Sequence, residues 1–422
     1  MDYHQSLAYL FGLQRFGIKL GLANIQTLLA RLDNPERAMR IVHVAGTNGK
    51  GSVSAATALI LQSAGYRTGL YTSPHLHSFT ERIRIDGEPV SESDMVALVD
   101  EIRAVVGSVP VTFFEFTTAM ALLYFKRKNA EFAVLEVGMG GRLDATNAVM
   151  PEVSVITPIS HDHAEHLGAD LATIAGEKAG IIKPEVPVVI ASQQAEVERV
   201  LLTRAAEKKA PVSLWGRDFQ IMEHARSFDF ISSGLTLRNL SPGLAGAHQR
   251  ENLAVALEVA ALLRSRDTAL SEQALRHGVE NVRWPGRLEW WGGLRQVLLD
   301  GAHNRGGAQA LARYLVSIGC GKVRWVVGIK GQRCPDDILA PLLPHTSCLY
   351  ATLPPVDQGV EPDKLVQAAR QSGVSAEVYS SPAEAMTTAL AQRREGEIVL
   401  VAGSLFLVAA VRDYLMDRER TR

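Results

Sequence analysis

Cysteine is scarce in this chain: Cys320, Cys334 and Cys348 are the three in 422 residues. An odd number with no metal-like spacing argues against a disulfide framework and fits a reducing compartment. No stretch approaches the ~18 uncharged apolar residues that a membrane span needs. The start, MDYHQSLAYLFGLQRFGIKLGL, lacks a basic segment followed by an unbroken apolar run, so an unexported cytoplasmic protein is expected. An excess of one charge is missing too, because 44 Lys and Arg face 45 Asp and Glu, a formal net charge of −1. Neither nucleic acid nor an anionic membrane surface is therefore expected as a partner. Any bound anion must be met by a local arrangement. Short-period repeats and low-complexity tracts are absent as well.

What is present is enough apolar material, 47%, for more than one hydrophobic core in a chain of this length, and two domains are the natural expectation. Residues 41–56, IVHVAGTNGKGSVSAA, pack four glycines and a lysine between an apolar run and a small-residue segment. Ile41, Val42 and Val44 read as a buried parallel strand and Ser52–Leu61 as a helix, which places the glycines at a strand-to-helix turn. Exposed amides at a helix start beside a lysine suit a polyphosphate. The spacing departs from the common G-x-x-x-x-G-K-[ST] loop: Gly46-Thr47-Asn48-Gly49-Lys50-Gly51-Ser52 is shorter before the lysine and has a glycine after it. A plain glycine turn is the other reading.

Downstream, the apolar runs TGLYTS, FAVLEVG, VSVITPI and VPVVIAS alternate with helical segments such as AMALLYFKRK, a pattern that predicts a mostly parallel sheet covered by helices. Residues 215–240 hold short alternating segments that predict antiparallel strands, and a long helix follows in HQRENLAVALEVAALLRSR. The segment RWPGRLEW, punctuated by Pro285 and Gly286, marks a junction. After it QVLLDG, KVRWVVGI, SCLYATL, AEVYSS and EIVLVAGS begin a second series. The expected division is 1–283 and 284–422, two α/β domains whose ligands bind beyond the carboxyl ends of the strands.

Several groups lie at such ends. Glu136 closes FAVLEVG and precedes GMGGRLDATN; a carboxylate there suits Mg²⁺ near phosphates, with a helix cap or salt bridge as the alternative. Arg142 and Asp144 are close enough in sequence to form a surface ion pair. His161, His163 and His166 with Asp162 form the most metal-like cluster. It resembles the H-x-H-x-D-H zinc signature of metallo-β-lactamase-like hydrolases, but Glu165 stands where that pattern has Asp. Glu177 and Lys178 read as helical, where a lysine is ordinarily solvated. LLDGAHN puts Asp300, His303 and Asn304 after a strand, and Arg287 in WPGR reads either as a hinge ion pair or as a group reaching a nucleotide.

Taken in order, HVAGTNGKGS, YTSPHL, ERIRIDG, FFEFTTAMAL, LEVGMGGRLDATN, HDHAEHLG, IAGEKAGIIKP, WPGRLE and LDGAHN resemble the folylpolyglutamate synthase and dihydrofolate synthase family of the Mur ligase superfamily, over nearly the whole chain. The resemblance implies a P-loop parallel-sheet ATPase domain of Mur ligase type followed by a smaller Rossmann-like α/β domain. It implies an ATP-dependent amide ligase, acting as a monomer, that activates the carboxylate of dihydropteroate or a tetrahydrofolate as an acyl phosphate for displacement by L-glutamate. Carried across, Gly49, Lys50, Gly51 and Ser52 wrap the ATP phosphates, and Asn252, Arg287 and Asp300 contact ATP. Ser73, Glu136 and His163 become Mg²⁺ ligands. Lys178 matches a lysine that is carbamylated in the family and supports a second Mg²⁺, and His303 lies in a matching catalytic motif. The pterin substrate falls to Gly17, Ile18, Lys19 and Leu20, to Phe114 and Glu115, and to Arg142, Leu143 and Asp144. Two places depart from the family: Arg305 stands where proline is frequent after AHN, and GIKGQRCPDDI matches only loosely. A folylpolyglutamate synthase without the first activity is the nearest alternative. A muramyl-peptide ligase and a metal-dependent hydrolase stand further off.

Overall fold

The computed structural model describes residues 1–16, 21–162, 167–168, 170–265, 267–292, 296–331 and 333–420. The chain divides into two units, Met1–Gly243 with Gln249–Arg283, and Leu244–His248 with Trp284–Arg422.

The first unit is built on β1 (Arg40–Ala45), β2 (Thr68–Tyr71), β3 (Ile83–Ile85), β4 (Glu88–Pro89), β5 (Phe132–Glu136), β6 (Val153–Ile156), β7 (Val188–Ile190) and β8 (Val212–Leu214). Among the described residues these make one sheet in the order β4-β3-β2-β5-β1-β6-β7-β8. From β2 to β8 all neighbours are parallel, and β3 and β4 add an antiparallel edge. Strands buried on both faces carry unbroken apolar runs, as in FAVLE of β5, buried throughout. In the registers of β1, β2 and β5, Val44 is opposite Glu136 and Tyr71 opposite Leu135. The three strands therefore end together, and the residues that follow them meet at one sheet edge.

The helix Lys50–Ser63 that follows β1 buries Val53, Ser54, Ala55, Ala56 and Ala58, side chains small enough for a close approach. The helix Glu272–Asn281 packs on its outer side through Gly278, where a Cβ would fall 2.4 Å from Ile60 Cγ1 and 2.8 Å from Ile60 Cα. Residues 215–240 do form an antiparallel sheet, β9 (Phe219–Glu223), β10 (Phe228–Ser232) and β11 (Leu235–Leu240), with Phe219, Phe228 and Phe230 on its buried side.

The second unit has β12 (Glu289–Trp291), β13 (Val297–Asp300), β14 (Val323–Val327), β15 (Thr346–Ala351), β16 (Ser375–Val378) and β17 (Val399–Ala402), in the order β12-β13-β17-β14-β15-β16. All pairs are parallel except β12 with β13. Its core centres on the fully buried Trp325, whose Nε1 donates to Ala402 O at 3.2 Å. Ala245 packs against the same core, which explains why residues 244–248 join this unit although they lie well before the junction in sequence.

The Gly278 contact leaves no room for a methyl group without moving the backbone of the phosphate-loop helix. Gly278→Ala is expected to lower stability by about 1–3 kcal/mol, read as an earlier midpoint in urea unfolding; an unchanged midpoint would show that the two helices separate freely.

Candidate active site

The loop between β1 and its helix is held by what lies beside it. Thr47 N and Asn48 N both donate to Pro158 O, at 3.0 and 3.1 Å, and Thr47 Oγ1 donates to Ser160 O at 3.1 Å. The segment after β6 thus fixes the loop from outside. Gly46 has φ +146°, and a Cβ there would lie 1.9 Å from Thr157 Oγ1. Gly49, at φ +89°, has Asn252 Oδ1 where a Cβ would go, 2.4 Å away. Gly49 supplies no side-chain cap to the helix, so the amides of Lys50, Gly51 and Ser52 precede the helix's own bonding and suit an anion.

Two lysines converge on one carbonyl. Lys50 Nζ donates to Gly46 O at 3.2 Å and to Thr47 O at 3.3 Å; Lys178 Nζ donates to Gly46 O at 2.9 Å. Lys178 is buried, on the helix Leu171–Ala179, and so departs from the ordinary solvated lysine expected of such a helix. Burial first, and the neighbouring Lys50 charge second, push its pKa down to about 7, against the opposing pull of Asp162 and Asp144. Its position follows from two glycines: a Cβ on Gly141 would lie 2.8 Å from Glu177 O, and one on Gly180 would lie 2.3 Å from Arg142 Cβ. The GMGGRLD loop can therefore lie directly on the helix end.

Glu136 is buried, and its Oε2 accepts from Ser73 N at 3.1 Å. A carboxylate and a hydroxyl residue thus share the sheet edge with the phosphate loop, and hard oxygen donors fit Mg²⁺. His163, the third expected ligand, lies outside the described residues, as do Glu165 and His166. Among the described residues no group of three His, Cys, Asp or Glu side chains could hold a metal.

The expected pterin residues divide. Gly17, Ile18, Lys19 and Leu20 lie outside the described residues. Phe114 sits against Gly138, its Cζ 2.5 Å from where a Cβ would be, and tilts on Tyr71 at 5.9 Å. Glu115 is buried in a capping box, its Oε2 accepting from Thr112 N at 2.7 Å and Thr112 Oγ1 at 2.9 Å. Leu143 is half-buried. Arg142 and Asp144 do not pair, in contrast to the surface ion pair that their spacing allows. Arg142 turns out to Glu177, Nη2 to Oε1 2.7 Å, while Asp144 turns in, accepting from Met139 N at 3.0 Å and Thr146 Oγ1 at 2.5 Å. Burial raises the Asp144 pKa despite those bonds. Because the Thr146 hydroxyl donates to Asp144, it accepts from the fully buried His43 at 2.8 Å. His43 and Thr146 were not candidates from sequence; the buried strand position of a histidine was the available signal.

In the second unit, Asp300 Oδ2 accepts from Leu288 N and Oδ1 from Ala302 N, both at 2.8 Å. Arg287 lies over Gly301, where a Cβ would come 2.0 Å from its Nη1. His303 Nδ1 bonds Gly301 O at 2.8 Å, which puts a proton on that nitrogen. Asn304 caps the helix Arg305–Ser317 by accepting from Gly307 N at 2.8 Å, so Arg305 simply takes the first helical position.

An unfolded lysine keeps its proton up to 10.5, whereas Lys178 in the fold releases it near about 7. Between these values the unfolded chain holds more protons, so stability rises with pH; below about 7 both forms are charged and the full penalty of the buried ammonium remains. Lys178→Met is expected to flatten that rise in urea unfolding at about pH 6.5 and about pH 9; equal slopes in both proteins would contradict the depressed pKa.

Comparison with known proteins bears on the same residues. The Mur ligase middle domain model matches residues 44–260, and the Mur ligase glutamate ligase domain model matches residues 286–405. A dihydrofolate synthase/folylpolyglutamate synthase of Bacillus subtilis is 40% identical over 323 residues, 74% of this chain and 75% of that protein. The folylpolyglutamate synthase of Lacticaseibacillus casei is 32% identical, covering 99% of each chain. The solved structure of Escherichia coli FolC in complex with DHPP and ADP superposes with a TM-score of 0.92 at 32% identity, over 99% of each chain. A bifunctional Yersinia pestis enzyme complexed with AMPPNP and Mn ion gives 0.89 at 32% identity, over 99% of this chain and 98% of that one. These matches leave the zinc-hydrolase alternative without support. With a phosphate loop, a paired carboxylate and two matching domain models in one chain, the protein belongs to the Mur ligase family, in its dihydrofolate synthase/folylpolyglutamate synthase branch.

Proposed function

We propose that the chain is an ATP-dependent amide ligase that adds L-glutamate to dihydropteroate and to tetrahydrofolates through an acyl phosphate. The observation that carries this reading is the pair of lysines on the Gly46 carbonyl at the sheet edge that also carries Glu136 and Ser73, cationic donors and hard oxygens in one place. A carboxylate and a triphosphate repel each other, so positive charge must gather where the γ-phosphoryl group moves. Lys50 and the helix-start amides meet the phosphates. Ser73, Glu136 and His163 are assigned to Mg²⁺, which supplies further charge neutralisation when bound. Asn252, Arg287 and Asp300 are assigned to ATP, and His303 to catalysis. Phe114, Arg142, Leu143 and Asp144 are assigned to the pterin, with Glu115 shaping the helix start beside them.

Lys178 has a further role. An amine with a pKa near about 7 is substantially neutral in the cell, and a neutral amine attacks CO₂, forming a C–N bond and releasing a proton. The resulting carbamate would turn a repelled cation into an anion suited to a second Mg²⁺. Among the described residues no helix is long and apolar enough to cross a membrane; a cytoplasmic monomer remains the reading here. A synthase with the second activity alone is also consistent with the full-length likeness to the Lacticaseibacillus casei enzyme.

The deciding assay supplies ATP, Mg²⁺ and glutamate with dihydropteroate or tetrahydrofolate in parallel, scored by phosphate release and product mass. Both products support the bifunctional reading, one supports the narrower synthase, and none refutes the ligase. Lys50→Ala is expected to reduce turnover by at least ~1,000-fold while leaving the fold intact, since the side chain serves charge rather than packing; near-normal turnover by the folded variant would remove the phosphate-loop assignment. Lys178→Ala is expected to be inactive and partly restored by short carboxylic acids. Restoration by alkylamines instead would show that the ammonium is the working form.

A further inference from the structure

The motif ERIRIDG, residues 81–87, is not absorbed by the nucleotide site. Arg82 ends the short helix Phe79–Arg82, and its carbonyl accepts from Thr72 N at 3.0 Å, which sets it against the end of β2, beside the segment that carries Ser73. The residue is 8% exposed. Its Nε donates to His75 Nδ1 at 2.8 Å, and its guanidinium carbon lies 5.4 Å from the Phe113 ring centre and 5.7 Å from that of Phe79. His75 Nδ1 accepts this bond, and an imidazole supplies no negative charge to balance the guanidinium. Among the described residues no carboxylate forms an ion pair with Arg82 and neither terminal nitrogen donates to a protein atom, yet neither is sealed from solvent.

Burial lowers the Arg82 pKa, and nearby Tyr71 and Glu136 offset that only in part, so a guanidinium held this deep without a carboxylate in direct contact is costly, and a ligand's anion offsets that cost. Its planar fork matches a carboxylate through two parallel bonds. Beside it stands an aromatic wall: Phe113 is stacked on Phe11 at 5.8 Å, and Phe11 is 41% exposed, so the wall has an open face for a ring system. The chemistry indicated is a carboxylate carried near an aromatic group.

A glutamylated folate has two such carboxylates. The one that attacks phosphorus needs an uncommitted oxygen lone pair, whereas a two-bond guanidinium contact engages both oxygens. Arg82 therefore suits the carboxylate that does not react. Resting on the ligase reading above, we infer that Arg82 holds the spectator α-carboxylate of the glutamyl group on folate substrates, a group that dihydropteroate lacks. Arg82 is then a specificity residue that separates the two reactions: it serves addition to tetrahydrofolates and is idle in addition to dihydropteroate.

Calorimetric binding of tetrahydrofolate and tetrahydropteroate, which differ only in the glutamyl group, tests this with the full chain, AMPPNP and Mg²⁺ present. Arg82→Met keeps most of the stem against Phe79 and Phe113 and removes the fork. It is expected to weaken tetrahydrofolate binding roughly 10- to 100-fold and to leave tetrahydropteroate binding unchanged, with Arg82→Lys recovering part of the loss. Equal weakening of both ligands would overturn the assignment, since it would place Arg82 on the reacting carboxylate or make it purely structural. Unchanged binding of both would overturn it as well. Should thermal unfolding show Arg82→Met to be unfolded, Arg82→Lys and Arg82→Gln carry the same comparison of the two ligands. Failure of the unaltered protein to bind either ligand is a different result, which removes the ligase reading itself.

Discussion

One backbone carbonyl, that of Gly46, takes hydrogen bonds from two lysine ammonium groups, and much of the first unit follows from keeping it there. Two like charges meeting at a partly dry place repel, and the fold meets that strain by depressing the Lys178 pKa. Such a pair is stable enough to fold and is improved by any polyanion that arrives. The geometry leaves little freedom. Gly46 has no room for a Cβ against Thr157, and the next two amides are committed to Pro158 O, so β6 and the segment after it act as the outer wall of the loop.

The sheet register carries the second half of the arrangement. Because β5 lies between β1 and β2 in parallel, Glu136 finishes level with Val44 and close behind Tyr71. A buried carboxylate at that point would be expensive alone, and the Ser73 amide supports it. Three chain segments far apart in sequence thus bring ammonium groups, amides, a hydroxyl residue and a carboxylate to one edge, the place where ligands of parallel sheets bind.

The strands of both sheets were legible because parallel strands covered on both faces must be apolar without interruption, as in VSVI, VLLD and VLVA. The glycine loop was legible for a different reason: its backbone angles and close contacts exclude other residues. The fate of the charged side chains was not legible, since it depends on which neighbours approach. Arg142 and Asp144, two positions apart, leave in opposite directions because Glu177 offers an outer partner and Thr146 an inner one. Lys178 is buried because two distant glycines let a loop lie on its helix. Two signals were present and unused. Thr112 and Glu115 have the spacing of a capping box, and IRIDGEP alternates around an Asp-Gly turn, as the antiparallel pair β3–β4 does.

The two cationic places on the first unit differ in kind, and the difference is chemical rather than a matter of strength. Lys50 is a compact point charge with rotatable donors, suited to phosphate oxygens whose positions shift as a phosphoryl group moves. Arg82 is a rigid planar fork, fixed at Nε by His75 and flanked by rings, suited to a group that must stay still. A ligase that activates one carboxylate beside another needs both kinds. The reacting group is better served by mobile charge that follows it, and the spectator by a fixed contact that sets which oxygen faces the phosphate. Exchanging the two side chains would leave the net charge unchanged and lose that distinction.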